Sequence, residues 1–166
     1  MATQAFVDPN LPSSCARAAT AAEARYRIQR PVAPARAPRI IALDGGAVEI
    51  VRRAAALQWA NARFYACESI DGTVTLRGIE GHPATLADEL ASADVVVMIA
   101  TDDGGAGCAH TIGKACWQRS IMTAGLVVSD DDAADRAVAA LRPHARVLLP
   151  GADESDVVDL LTALRA

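Results

Sequence analysis

The run Val95-Val96-Val97-Met98-Ile99-Ala100, followed directly by Thr101-Asp102-Asp103 and the cluster Gly104-Gly105-Ala106-Gly107, constrains this chain more than any other stretch. Six apolar residues rich in β-branched side chains are too few to cross a membrane and read as a strand covered on both faces, as in a parallel sheet. After the glycines, Ile112, Ala115 and Cys116 recur at i, i+3 and i+4, so a helix is predicted from Ala106 to about Gln118. A strand, a glycine turn and a helix N-terminus leave backbone N–H groups facing an open crevice, a setting that favours an anion.

The same sequence of elements recurs along the chain. Arg39-Ile40-Ile41-Ala42-Leu43 reads as a first strand ending in Asp44-Gly45-Gly46, with a helix to about Ala60 on which Leu57 extends the apolar face. Residues 63–67 and 73–77 read as the second and third strands, the Asp71-Gly72 pair supplying the turn between them. Thr85, with Asp88 three residues on, has the spacing of a capping box for a helix to about Ala91. The 120–128 run is a fifth strand, Ser129-Asp130-Asp131 opens a helix to Leu141, residues 146–149 are a sixth strand, and a last helix carries Val157, Leu160, Leu161 and Leu164 inward. Alternation of this kind predicts a single α/β domain over 38–166. Its expected form is a three-layer Rossmann-like doubly wound sheet of about six mainly parallel strands, order 3-2-1-4-5-6. In that order the two glycine turns face one crevice at the carboxyl edge, where strand order reverses. Residues 1–37, punctuated by Pro9, Pro12, Pro31 and Pro34, read as an N-terminal arm, with one short helix over 16–26 as the alternative.

Composition removes several function classes. With 166 residues, net charge −4 and Lys114 as the one lysine, no basic stripe is available to neutralise phosphates, so nucleic acid is not expected as a partner. No run approaches the roughly 20 apolar residues of a spanning helix, and no basic segment followed by an apolar core opens the chain; the expectation is a cytoplasmic protein without membrane contact. Cys15, Cys67, Cys108 and Cys116 lack paired spacing and read as reduced thiols. Metal binding by Cys and His has no supporting spacing.

These segments, in order, resemble the nucleotide-binding half of the tubulin-like bacterial division GTPases, the FtsZ/tubulin family. The likeness rests on Ile40 to Val51, the Phe64 strand, Ala91 to Val97, Gly104-Gly105-Ala106-Gly107, Ile121 to Val128 and Val147-Leu148-Leu149-Pro150. In that family both glycine turns wrap nucleotide phosphates. The resemblance therefore implies ligand contact by Gly45, Gly46 and Ala47 in the first turn and by Gly104, Gly105, Ala106 and Gly107 in the second. A guanine nucleotide is the implied cofactor, with Mg2+ if the carboxylates take part. The chain departs from the family where it places Cys108-Ala109-His110 after the second turn, shortens the loop between Arg77 and Leu86, and lacks the second domain whose acidic loop triggers hydrolysis. The expectation is accordingly a ligand-binding or regulatory module that is not a competent GTPase.

Asp44, Asp102 and Asp103 at the rim count against a triphosphate, since a carboxylate within about 5 Å of one costs on the order of 1 kcal/mol even when solvated. The same three can serve as helix caps, as hard ligands for a cation, or as acid/base groups. Main-chain N–H groups of Ala47 and Cys108 are the candidate anion donors. Cys108 and His110 also admit a nucleophile–base reading, which would make the crevice that of a small-molecule enzyme. His110, Lys114 and Trp117 share one helix face as a surface stripe, His82 and His144 read as loop residues, and Trp59, Phe64 and Tyr65 as core or interface. A third reading is a scaffold that has lost its ligand. A homo-oligomer is compatible with each.

Overall fold

Two neighbouring strands, β1 (Pro38–Ala42) and β5 (Val95–Ala100), form the centre of the sheet in a computed structural model that describes residues 34–129 and 134–166. Every residue of both strands is buried, as the apolar runs require. The other strands are β2 (Arg63–Ile70), β3 (Thr73–Gly78), β4 (Pro83–Ala84), β6 (Met122–Val127) and β7 (Val147–Pro150). Together they make one seven-stranded sheet in the order β4-β3-β2-β1-β5-β6-β7. Pairing is parallel from β2 through β1, β5 and β6 to β7, and antiparallel at β2–β3 and β3–β4. The chain is thus α/β, with a mixed, mostly parallel sheet.

Among the described residues five helices and one 3-10 turn flank the sheet: α1 (Gly45–Ala55), α2 (Leu86–Ala91), a 3-10 turn (Asp103–Gly105) running into α3 (Ala106–Gln118), α4 (Asp135–Leu141) and α5 (Glu154–Leu164). Alternate strand residues feed opposite layers. Ile41, Val96 and Met98 pack with Ile112 and Cys116 of α3 and Leu141 of α4, whereas Ile40, Val97 and Ile99 pack with Ile50 and Val51 of α1 and Val157 and Leu161 of α5.

Several boundaries differ from expectation for identifiable reasons. Helix α1 ends at Ala55 instead of about Ala60, because the Trp59 indole donates to the Ala54 carbonyl at 2.9 Å, an acceptor that a longer helix would need for itself. Leu57 consequently leaves the apolar face and is exposed. Among the described residues there are seven strands instead of about six: Pro83–Ala84, read as a break, pairs antiparallel with β3. Thr85 makes no side-chain cap; α2 is held instead by Glu89, which takes Arg39 at 3.0 Å. Strand β6 begins after Ser120, whose left-handed backbone (φ 57°) ends α3 with bonds from Ser120 N–H to the Trp117 carbonyl and Ile121 N–H to the Cys116 carbonyl. The opening of the α4 helix at 130–131, and the arm and its alternative helix up to Ala33, lie outside the described residues. No helix among those described is long and apolar enough to cross a membrane.

Candidate functional site

Parallel pairing of β1 with β5 brings the two glycine turns together at the carboxyl edge of the sheet, and the Leu43 N–H continues the ladder beyond the strand by bonding to the Ile99 carbonyl at 2.9 Å. The turns are joined by one side chain. Asp44 caps α1 by accepting from the Ala47 N–H at 2.8 Å. The same carboxylate accepts from the Thr101 N–H at 2.7 Å, the Thr101 hydroxyl at 2.5 Å and the Asp102 N–H at 3.2 Å. It forms a bracket between the end of β1 and the end of β5.

The other two carboxylates are also engaged with backbone. Asp102 accepts from the Gly104 N–H at 2.6 Å and so starts the 3-10 turn. Asp103 reaches across to α4 and accepts from the Ala137 N–H at 3.0 Å, supplying a cap that Ala134 at the helix start cannot. Of the roles open to these aspartates, capping is the one their geometry displays.

The glycines divide into two kinds. A Cβ on Gly46 would collide with the Thr101 side chain, and one on Gly105 would sit 2.5 Å from the Leu43 carbonyl oxygen. These two are glycine because each turn packs directly on the other. Gly45 and Gly107 are exposed, and a Cβ on either would meet nothing within 4 Å. They present bare backbone to solvent beside the point where the turns meet. Ala47 is fully buried and its N–H already belongs to Asp44, so of the two expected anion donors it is the one withdrawn.

Cys108 and His110 do not form a pair. Cys108 is buried, and its sulfur lies against that of Cys67 on β2: hydrogen bonding from Cys67 holds the Cys108 thiol below its ordinary pKa and pushes Cys67 well above it. Cys116 is raised to about 12 by burial. His110 turns the other way and meets His144, with Nδ1 of His110 3.2 Å from Nε2 of His144. Burial and the neighbouring His110 keep the pKa of His144 below its usual value. Nothing in the spacing of Cys67 from Cys108, or of His110 from His144, announces these contacts; both arise from packing between elements distant in sequence.

Three cavities open at the opposite, amino edge of the parallel strands. One of ≈ 490 Å³ lies under Trp59, Phe64 and Ile79, one of ≈ 370 Å³ beside Arg39 and Asn61, and one of ≈ 330 Å³ between Trp117 and Arg146. None of the three is lined by a glycine-turn residue. Among the described residues no group of three or more His, Cys, Asp or Glu is placed to hold a metal ion. No family model matches the chain, and the curated proteins compared with it include no match.

Proposed function

We propose that this chain is a ligand-binding or regulatory module with a Rossmann-like fold of the FtsZ/tubulin type, and not a competent GTPase. The observation that supports this reading is the meeting of the two glycine turns on adjacent strands, with Gly45 and Gly107 exposed and unobstructed. Gly45, Gly46, Gly104, Gly105, Ala106 and Gly107 form the wall that a small ligand approaches, with the Cys108 N–H in the first turn of α3 as an anion donor.

A guanine triphosphate fits these residues poorly. The Asp44 carboxylate occupies the very amides of Ala47, Thr101 and Asp102 that a phosphate would use, and it repels what it excludes. A ligand with less negative charge suits these residues better. No hydrolytic step follows from this arrangement.

Calorimetric titration with GTP, GDP, ATP and NAD, each with and without Mg2+, tests the proposal. The expected result is binding of the less charged ligand ahead of GTP and no phosphate release. If no anionic ligand binds or raises the melting temperature at millimolar concentration, the module reading falls and a ligand-free scaffold takes its place.

A further inference from the structure

The charges of this chain are distributed unevenly. Arg39, Arg52, Arg53, Arg63 and Arg77 each meet a glutamate. No Asp or Glu occurs from Gly104 to Ser129 or from Arg136 to Ala152. The first stretch carries Lys114 and Arg119, the second Arg136, Arg142 and Arg146, and none of these five cations forms an ion pair among the described residues. Arg136 lies at the start of α4, beside Asp135 and the carboxyl edge; the others leave a chain of net charge −4 with an unneutralised basic stretch that reaches the end of α3 and the starts of β6 and β7.

That region contains the cavity of ≈ 330 Å³, lined among others by Trp117, Ser120, Thr123, His144 and Arg146. The volume lies at the small end of the range for small-molecule sites, about 300–1,000 Å³. An arginine borders each of the three cavities, but Arg39 and Arg63 in the other two are already bound to Glu89. Only beside Trp117 is the guanidinium uncommitted among these. Trp117 is 77% exposed, the most exposed large apolar side chain among the described residues. An indole left in water next to a free guanidinium and the Ser120 hydroxyl offers one face for stacking and one charge for pairing.

The His144 side of the cavity is fixed in place. The His144 ring lies over Gly113, where any Cβ would overlap it. Its main chain is held by the bond from its N–H to the Leu141 carbonyl at 2.9 Å and by the Thr123 hydroxyl donating to its carbonyl. The bond to His110 sets the ring's orientation. A preformed wall lowers the ordering cost of binding.

The geometry points to a second ligand site here, for a small planar organic anion: an aromatic carboxylate or an aromatic phosphate ester. Arg146 receives the anion, His144 and Thr123 border it, and Trp117 stacks on the ring. The site lies at the end of the sheet opposite the glycine turns and does not depend on them.

The test is calorimetric titration of the whole chain with naphthalene-1-carboxylate, with the uncharged naphthalene-1-carboxamide as its match in shape. The carboxylate is expected to bind one site about tenfold more tightly than the amide, as a charge-assisted bond provides. Arg146→Met and Trp117→Ala are each expected to weaken the carboxylate about tenfold, while Arg77→Met, on the opposite sheet edge, leaves it unchanged. Both altered residues are exposed, and the comparison of carboxylate with amide on the unaltered chain does not depend on any variant folding. Equal binding of the amide, an Arg146→Met variant that binds normally, or absence of binding at millimolar carboxylate overturns the proposal. So does binding only of an acidic peptide, which would make the surface a protein-docking face.

Discussion

Asp44 is the residue whose replacement says most. Its carboxylate accepts four hydrogen bonds, one as the cap of α1 and three from Thr101 and Asp102. Loss of an N-terminal cap costs about 1 kcal/mol. The Thr101 N–H is partly buried and, left without an acceptor, costs about 1–3 kcal/mol more, whereas the exposed Asp102 N–H can turn to water. Asp44→Ala is therefore expected to destabilise by about 2–4 kcal/mol in urea unfolding, with each kcal/mol lowering Tm by about 2–4 °C in a chain of this size. Asp44→Asn separates structure from charge. Its amide oxygen can still accept from Ala47 and the Thr101 hydroxyl, but its NH2 would face two donors, so stability still falls by about 1–3 kcal/mol. Removing the negative charge should at the same time strengthen binding of any anion at the glycine turns, by about 1 kcal/mol or about fivefold. Loss of stability with gain of affinity is the signature of a carboxylate that braces the crevice and opposes its guest. An Asp44→Ala variant within about 0.5 kcal/mol of wild type, or an Asp44→Asn variant that binds anions more weakly, would refute the reasoning.

Other outcomes follow from the same contacts. Gly105→Ala forces a methyl onto the Leu43 backbone and should cost about 3 kcal/mol or more, while Gly107→Ala, with open space around it, should be neutral or stabilising by about 0.5 kcal/mol and lose ligand affinity; urea unfolding and titration distinguish the pair. Glu89→Gln leaves Arg39, 2% exposed, without its counter-charge and should cost about 3–5 kcal/mol by chemical denaturation. Burial raises the pKa of Glu89, but hydrogen bonds from Tyr65 and Arg39 outweigh it and hold the carboxyl below its usual value. The stability this contributes is full above the ordinary glutamate pKa of 4.5 and is lost as pH falls through the depressed one. His144, depressed by burial and by His110, loses stability earlier, as pH drops below 6.5. A melting-temperature series against pH should show the histidine component vanish in His144→Gln and the carboxylate component vanish in Glu89→Gln. Because the Cys67 S–H lowers the Cys108 pKa, Cys67→Ala should move the pH–rate profile of Cys108 alkylation to higher pH, with Cys116 unreactive throughout.

What could be read from residues alone was local. The apolar runs at Ile40 and Val95 specify buried strands, and the Asp-Gly pairs after them specify turns, because β-branched burial and glycine backbone freedom act within a few residues. Asp71-Gly72 is legible for the same reason: both residues adopt positive φ and close a tight β2–β3 hairpin. The end of α1 was not legible, since it depends on an indole five residues downstream competing for a carbonyl. Nor was the fate of the Asp44 carboxylate. A residue placed to repel a phosphate at the rim turns inward to bind Thr101, and only the β1–β5 register decides which amides lie within its reach. The basic region around Trp117 was missed because its cations are spread over more than thirty positions; what marks it in sequence is the absence of acids between them, a signal of omission.

The hydrogen bond from the Ala137 N–H to Asp103 makes the second glycine turn part of α4 as much as of the crevice. Any guest that draws Asp103 toward itself must pull on, or release, the leading turn of that helix. The turn and the helix are one hydrogen-bonded unit, and a change at Asp103 is expected to be felt first at the leading turn of α4.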